Sequence, residues 1–154
     1  MVGKPITVIL HGKPVAKGRP RAFLVPGTKI IRHYTPKKTV TWEGMFRTAA
    51  MQVMGRRQPL DVPIEIQVTA TFAITASWPA WKREMAADGR ILHTARPDGD
   101  NIVKAVKDAL NEVVYRDDSL IAVTVCHKIF GPQESVQAVI TPLDAYPSNI
   151  KQRP

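Results

Sequence analysis

Hydrophobic and polar residues alternate most regularly over residues 62–74. The even positions from 64 onward are apolar and most of the positions between them are polar, which predicts a long strand with one buried face. Shorter stretches at residues 6–11, 120–130 and 135–141 predict three further strands. A Gly-Pro pair separates the last two, so we expect these two strands to form a hairpin.

Apolar residues spaced three or four positions apart predict two longer helices. The first covers residues 36–54, with Thr39 as a candidate N-cap. The second begins at Asp100 or Asn101, because both residue types are good N-caps. A shorter helix is expected at residues 84–87. The predicted buried stripes are Trp42, Phe46, Ala49, Ala50 and Val53 in the first helix, and Ile102, Val106, Ala109 and Val113 in the second.

The order of these elements predicts a mixed α/β (α+β) fold. We expect a single small domain in which one mixed sheet of four or more strands is covered by two helices. A chain of 154 residues can bury its own core, so we assign residues 1–144 to this domain and residues 145–154 to a polar tail. No apolar run is long enough to span a membrane, and the single cysteine, Cys126, excludes an internal disulfide. We therefore expect a cytoplasmic location and no membrane partner.

The net charge of +9 is confined to the first third of the chain. Residues 1–47 hold ten Lys and Arg and one acidic residue, while residues 48–154 hold equal numbers of both signs. Such a one-sided distribution is typical of a protein that binds a polyanion. Most of these cations belong to a basic arm, residues 12–38, in which Pro26 and Gly27 predict the turn of a hairpin.

The basic arm also contains the aromatic residues Phe23, His33 and Tyr34. Basic side chains contact phosphates, and aromatic rings stack on exposed bases. Packing of Phe23 and Tyr34 within the hairpin explains them equally well.

Carboxylates crowd into residues 96–118, which hold six of the 13 acidic residues of the chain. Asp98 and Asp100 precede the second helix, Asp118 follows it, and Lys104 lies one turn after Asp100. Mg²⁺ is usually held by one or two carboxylates together with water and phosphate, so this stretch predicts a magnesium site. Asp117 could be a fourth ligand. The alternative is that Asp100 caps the helix and that Asp117 and Asp118 form a turn.

The ordered series of motifs in this chain resembles the RusA-type Holliday junction resolvases. The series consists of KGRPR at 17–21, Tyr34-Thr35-Pro36, RPDxDN at 96–101, Lys104, DALN at 108–111, Tyr115-x-Asp117-Asp118 and Lys128. Two positions depart from the family pattern. Glu112 stands where a glycine is common, and Leu120 stands where a glutamine often follows the acidic pair.

The resemblance implies a homodimeric endonuclease that cuts four-way DNA junctions by phosphodiester hydrolysis. Asp98, Asp100 and Asp118 are implied to hold one or two Mg²⁺ ions, with Mn²⁺ as an alternative, and Lys104 is implied to act at the scissile phosphate. The family is common in phages, which implies a phage origin. The residues expected to bind nucleic acid are Lys17, Arg19, Arg21, Arg32, Lys37, Lys38 and Arg96.

Two other functions are compatible with the same residues. The first is a non-catalytic module that binds branched DNA through the basic arm, with the carboxylates serving only as caps and a structural cation site. The second is a metal nuclease for flap or single-stranded DNA. Cleavage of a four-way junction with and without Mg²⁺ distinguishes all three.

Overall fold

The strands and helices follow the hydrophobic patterning closely in a computed structural model that describes residues 3–145. The most regular alternation becomes β4, in which every even residue from 64 to 72 is buried and the residues between them are partly exposed, except for the exposed Ala73 at its end. The elements are β1 (Ile6–His11), β2 (Arg21–Leu24), β3 (Ile31–Tyr34), α1 (Lys37–Met54), β4 (Ile64–Ala73), α2 (Ala80–Ala87), α3 (Gly99–Leu110), β5 (Ile121–Gly131) and β6 (Ser135–Pro142).

The main sheet has the strand order β1-β6-β4-β5. β4 and β5 are parallel, because the segment between them carries α2 and α3 and returns the chain to the same end of the sheet. β6 lies antiparallel between β1 and β4. The expected hairpin of β5 with β6 is therefore wrong: these consecutive strands lie on opposite sides of β4. β2 and β3 form a separate antiparallel pair.

The core lies between the sheet and the pair α1 and α3, which contact each other. Phe46, Ile66, Val106 and Tyr115 are among its fully buried side chains. The smaller helix α2 contacts β5. The predicted mixed α/β fold with a sheet of four strands and two covering helices is confirmed, and the shorter helix expected at residues 84–87 is α2, which begins four residues earlier.

Several predicted element details are wrong in ways that packing explains. On α1, Val53 is 39% exposed and Met54 is buried, because the stripe continues from Ala50 by four residues. Thr39 does not cap α1; it lies inside the helix with 2% exposure. α3 begins at Gly99, ahead of both predicted caps.

Two further predictions concern the membrane and the tail. Among the helices of residues 3–145, none is long and apolar enough to cross a bilayer. The predicted polar tail lies, from residue 146 onward, outside the described residues.

Candidate active site and nucleic-acid interface

α3 separates its apolar face from a charged stripe. Its face toward the sheet buries Ile102, Val106 and Leu110, which anchors the helix in the core. Asp100, Lys104 and Asp108 recur at intervals of four residues, so they lie above one another on another face. Asp100 and Lys104 are exposed, and Asp108 is partly buried.

This charged stripe forms one wall of an open cavity of about 500 Å³. The opposite wall comes from the chain after α3, where Asp118 begins a 3-10 turn and Thr124 and Cys126 lie on β5. Three of the predicted site residues therefore meet at one cavity. The lining residues are Asp100, Val103, Lys104, Lys107, Asp108, Asp118, Thr124 and Cys126.

Tyr115 is a buried side chain that is influenced by two carboxylates of the cavity. Burial raises the pKa of the Tyr115 phenol, and the charges of Asp118 and Asp108 raise it further. The Tyr115 hydroxyl donates a hydrogen bond of 2.8 Å to the carbonyl of Lys107, which holds the turn after α3 against the helix. Asp108 and Asp118 line the same cavity although ten positions separate them in the chain.

Cys126 lies where the start of α3 approaches β5. Burial raises the pKa of its thiol; Lys128 opposes this effect and Asp100 adds to it. A Cβ atom at Gly99 would lie 3.2 Å from the Cys126 sulfur, so glycine permits the close approach. Cys126 is partly buried and packs against the core.

The donor chemistry of this cavity fits a hard divalent cation, since Asp100, Asp108 and Asp118 all offer carboxylate oxygens. Within residues 3–145, however, no three His, Cys, Asp or Glu side chains are grouped closely enough to hold a metal ion. Asp98 is the exposed N-cap of α3 and is not a lining residue. Mg²⁺ needs only one or two protein carboxylates when water and phosphate complete its shell, so the fit does not require a closed cluster.

Asp108 and Asp117 differ from their sequence-based descriptions. Asp108 lines the cavity although it was not a predicted site residue; its spacing of four from Lys104 was the available signal. The exposed carboxylate of Asp117 accepts a 2.9 Å hydrogen bond from the Ser119 amide, and this bond lowers its pKa. Asp117 therefore stabilises the turn, which matches the alternative weighed for it.

The base of the basic arm is attached to both α1 and α3. The Lys17 ammonium lies 2.7 Å from Glu43 on α1 and 2.9 Å from Asp108 on α3. Burial alone would lower the pKa of Lys17, but the two carboxylates outweigh it and raise this pKa. The Lys17 amide also donates a 3.0 Å hydrogen bond to the Asn101 carbonyl.

Thr39 provides a second attachment for the arm. Its buried hydroxyl accepts a 3.0 Å hydrogen bond from the Gly18 amide and donates one of 3.3 Å to the Ala16 carbonyl. A Cβ at Gly18 would lie 2.7 Å from the Pro36 ring, so only glycine fits here. The arm therefore leaves the core beside the acidic cavity.

The remaining predicted DNA-binding residues lie on the surface. Within the described residues, each is exposed and none forms a salt bridge. They are Arg19, Arg21, Arg32, Lys37, Lys38 and Arg96.

A sequence model of the family described as "Endodeoxyribonuclease RusA" matches residues 11–141 of this chain. The chain belongs to the RusA endodeoxyribonuclease family. A relative, the Bacillus subtilis (strain 168) protein named "Uncharacterized protein YqaN", is 30% identical over 145 residues, which cover 91% of this chain and 98% of that protein. Membership of the RusA family makes the chain a DNA-cleaving hydrolase by family, and the cavity on α3 is its candidate active site.

The structure gives the backbone conformation or the burial of the two residues that depart from the RusA pattern. Glu112 has a φ of 65°, a left-handed conformation that favours glycine. Leu120 is partly buried and packs against the core, so an apolar residue suits this position.

Lys128, another member of the RusA motif series, supports the segment that leads to the cavity. Its ammonium donates a 2.6 Å hydrogen bond to the Ala95 carbonyl. His93 stacks on Phe72 with ring centroids 3.6 Å apart, and its amide donates to the Lys128 carbonyl. Both residues hold the segment before Arg96 against the sheet.

Proposed function

We propose that this RusA family member is a Mg²⁺-dependent endonuclease that resolves four-way DNA junctions as a homodimer. The observation that carries the proposal is the meeting of Asp100, Lys104 and Asp118 at one cavity. These three residues stand in the motif series of a family of endodeoxyribonucleases, and the match covers most of the chain.

Asp100 and Asp118 would hold the Mg²⁺ ion, or Mn²⁺ in its place, because both residues line the same cavity. Asp98, one position before α3, would supply a third carboxylate. A bound Mg²⁺ would supply Lewis-acid chemistry: it neutralises charge on phosphate oxygens and acidifies water.

Lys104 would bind the scissile phosphate. It lies on the charged stripe between Asp100 and Asp108, yet within residues 3–145 it forms no salt bridge with either. Its ammonium therefore keeps all three donors for an incoming anion. A phosphate oxygen that enters the cavity would accept from this ammonium, which orients the phosphodiester for in-line attack.

The exposed cations of the arm would hold the DNA backbone, and Arg96 would contact a phosphate beside the cavity. Arg19, Arg21, Arg32, Lys37 and Lys38 carry no compensating acid nearby in the sequence, so phosphates are suitable partners. Lys17 is different because two carboxylates already engage it. Its assignment to DNA stays a prediction, and its contacts favour a role in positioning the arm.

A homodimer would supply the two active sites that junction resolution requires. A dimer would bring together two copies of the acidic cavity on α3, and a two-fold dimer matches the approximate symmetry of a four-way junction. Trp81 is 62% exposed and is a candidate interface residue. Trp78 instead packs against Phe130 within the chain, with ring centroids 5.2 Å apart.

The test is cleavage of a synthetic four-way junction with labelled strands, in Mg²⁺ and in EDTA. We expect paired nicks on opposing strands in Mg²⁺ alone. Flap, single-stranded and linear duplex substrates of the same sequence serve as controls. If flaps or single strands are cleaved as well as the junction, the protein is not specific for junctions and the proposed substrate is wrong. If the protein binds the junction in Mg²⁺ but does not cleave it, the protein is a non-catalytic binding module.

A further inference from the structure

The register of the β2–β3 hairpin sorts its side chains onto two chemically different faces. Arg21 pairs with Tyr34, and Phe23 pairs with Arg32. Because alternate residues of a strand point to opposite sides, these four side chains share one face. The other face consists of Ala22, Leu24, Ile31 and His33.

The first face combines two guanidinium groups with two aromatic rings. The rings of Phe23 and Tyr34 meet edge to face with centroids 5.9 Å apart. Phe23 is 44% exposed and Tyr34 is 47% exposed, so each ring leaves much of its surface in water. Their packing against each other therefore does not account for both rings.

Alternating cations and aromatic rings match the chemistry of unpaired nucleic acid. Arginine binds the phosphates, and an aromatic ring stacks on the flat face of a base. In a continuous duplex the base faces are covered by neighbouring bases, so only a strand end, a single strand or a branch point offers them. Where the strands of a junction exchange, base pairs lose continuous stacking.

Charge complementarity favours nucleic acid over a protein as the partner of this face. Residues 17–38 contain seven Lys and Arg and no Asp or Glu. A protein partner would have to be strongly acidic over the whole hairpin, whereas DNA supplies phosphates and bases together.

The hairpin also starts close to the acidic cavity. Lys17 contacts Asp108, which lines the cavity, and Arg21 follows four residues later. Four residues of extended chain span at most about 14 Å, so the face begins near the candidate active site.

We propose that the face formed by Arg21, Phe23, Arg32 and Tyr34 binds the unstacked bases at the branch point of the DNA. This inference rests on the proposed function for the branched substrate. The face makes the enzyme distinguish a junction from a duplex, because phosphate contacts alone bind both.

The first measurement compares the affinities of wild type and Phe23→Ala/Tyr34→Ala for a four-way junction, a linear duplex and a single strand, all in EDTA. We expect the double variant to lose roughly tenfold or more on the junction and on the single strand, since each stacked base contributes about that much. Its affinity for duplex and the salt dependence should remain unchanged, because no phosphate contact is removed.

The opposite face supplies a matched control. Leu24→Ala/Ile31→Ala removes two side chains of similar exposure from the same strands, and we expect all three affinities to stay within twofold of wild type. Phe23→Trp/Tyr34→Trp should retain junction binding, which shows that stacking rather than hairpin folding is measured.

Three results would overturn the inference: an unchanged junction affinity in the Phe23→Ala/Tyr34→Ala variant, an equal loss on duplex DNA, or an equal loss in the opposite-face control. Cleavage plays no part in these measurements, so they are independent of the Mg²⁺ chemistry. If wild type binds single strands through this face but does not prefer junctions, the branch-point assignment is overturned together with the proposed substrate. If wild type and the Phe23→Ala/Tyr34→Ala variant prefer junctions over duplex equally, only this inference fails.

Discussion

The acidic cavity and the basic hairpin differ in what holds them in place. The cavity side chains project from α3, which buries six residues in the core, and from the turn that Tyr115 anchors. Every residue of β2 and β3, in contrast, is exposed, and the hairpin is held by its own strand pairing. A reacting phosphate needs groups preplaced to a fraction of an ångström, whereas a DNA backbone can be followed by an adaptable element.

Lys17 lies at the boundary between these two regions. It belongs to the basic arm in the sequence, but its contacts with Glu43 and Asp108 join the arm to the rigid part. The comparison therefore separates three classes of residue by expected effect: cavity residues control cleavage, hairpin residues control binding, and Lys17 couples the two.

The largest expected effect comes from removing a cavity carboxylate. Asp100→Asn and Asp118→Asn should each reduce cleavage by roughly a hundredfold or more, because the ion contributes several kcal/mol of charge stabilisation. Junction binding should stay equal or become tighter, since a charge that repels phosphate is lost. Single-turnover cleavage and binding in EDTA measure the two quantities separately.

Asp98 and Asp117 sharpen this prediction. Asp98→Asn should reduce cleavage as strongly if Asp98 is a ligand, and cleavage near the wild-type rate would limit the ligands to the residues that line the cavity. Asp117→Asn is the matched control, because an amide oxygen can still accept from Ser119; it should cut at the wild-type rate.

The arginines of the arm come next in size and act on binding. Arg19→Ala, Arg21→Ala and Arg32→Ala should each lower the slope of log affinity against log salt by about 0.9 on duplex DNA. Cleavage at saturating enzyme should be unchanged, since the cavity is untouched. If a variant with all three arginines replaced by alanine keeps the wild-type slope of log affinity against log salt, the hairpin does not contact phosphates.

Lys17→Ala should reduce cleavage and leave the salt dependence of DNA binding unchanged, which is the reverse of the effect expected for the arginines. Loss of its two ion pairs frees Asp108 and the arm base, so we expect single-turnover cleavage to fall about tenfold, in the range measured when groups that orient a site are removed. The salt slope should not change, because the ammonium faces carboxylates. Lys17→Arg should restore most of the activity. If Lys17→Ala instead lowers the salt slope of DNA binding by about 0.9, Lys17 contacts a DNA phosphate.

The sequence predicted those features that depend on local periodicity. The alternation in β4 identified its buried residues, and the stripe on α3 identified Ile102, Val106 and Ala109, because burial on one face leaves a period of two or close to four. Val113, the fourth residue of that stripe, lies beyond the end of α3 and is only partly buried. The same spacing placed Asp100 and Lys104 on one side of α3, as the cavity confirms. These features need no knowledge of any distant part of the chain.

Features that depend on distant contacts could not be read in this way. Lys17 meets Asp108 across most of the chain, and Thr39 meets Gly18 across 21 positions, so neither pairing leaves a local pattern. The pairing of β6 with β4 rather than with β5 could likewise not be predicted, because both strands show a similar hydrophobic pattern. The turn residues alone also do not determine the exact register of the hairpin, which decides which side chains share a face.

The smallest expected effect lies in the turn that connects α3 to Asp118, and it should leave the hairpin untouched. Glu112 adopts a φ of 65°, and a left-handed residue other than glycine costs about 1–2 kcal/mol. Glycine relieves that cost but loses about 0.5–1 kcal/mol more backbone entropy on folding. Glu112→Gly should therefore stabilise the protein by about 0.5–1 kcal/mol, measured as a higher urea midpoint with an unchanged m value.

Glu112→Ala is the control, because it removes the same charge but keeps the Cβ, so it should give no gain in stability. An equal gain from alanine would mean that the charge rather than the backbone conformation limits the stability of this turn. The salt slope of DNA binding should be the same in both variants, because the turn belongs to the scaffold of the cavity and not to the arm.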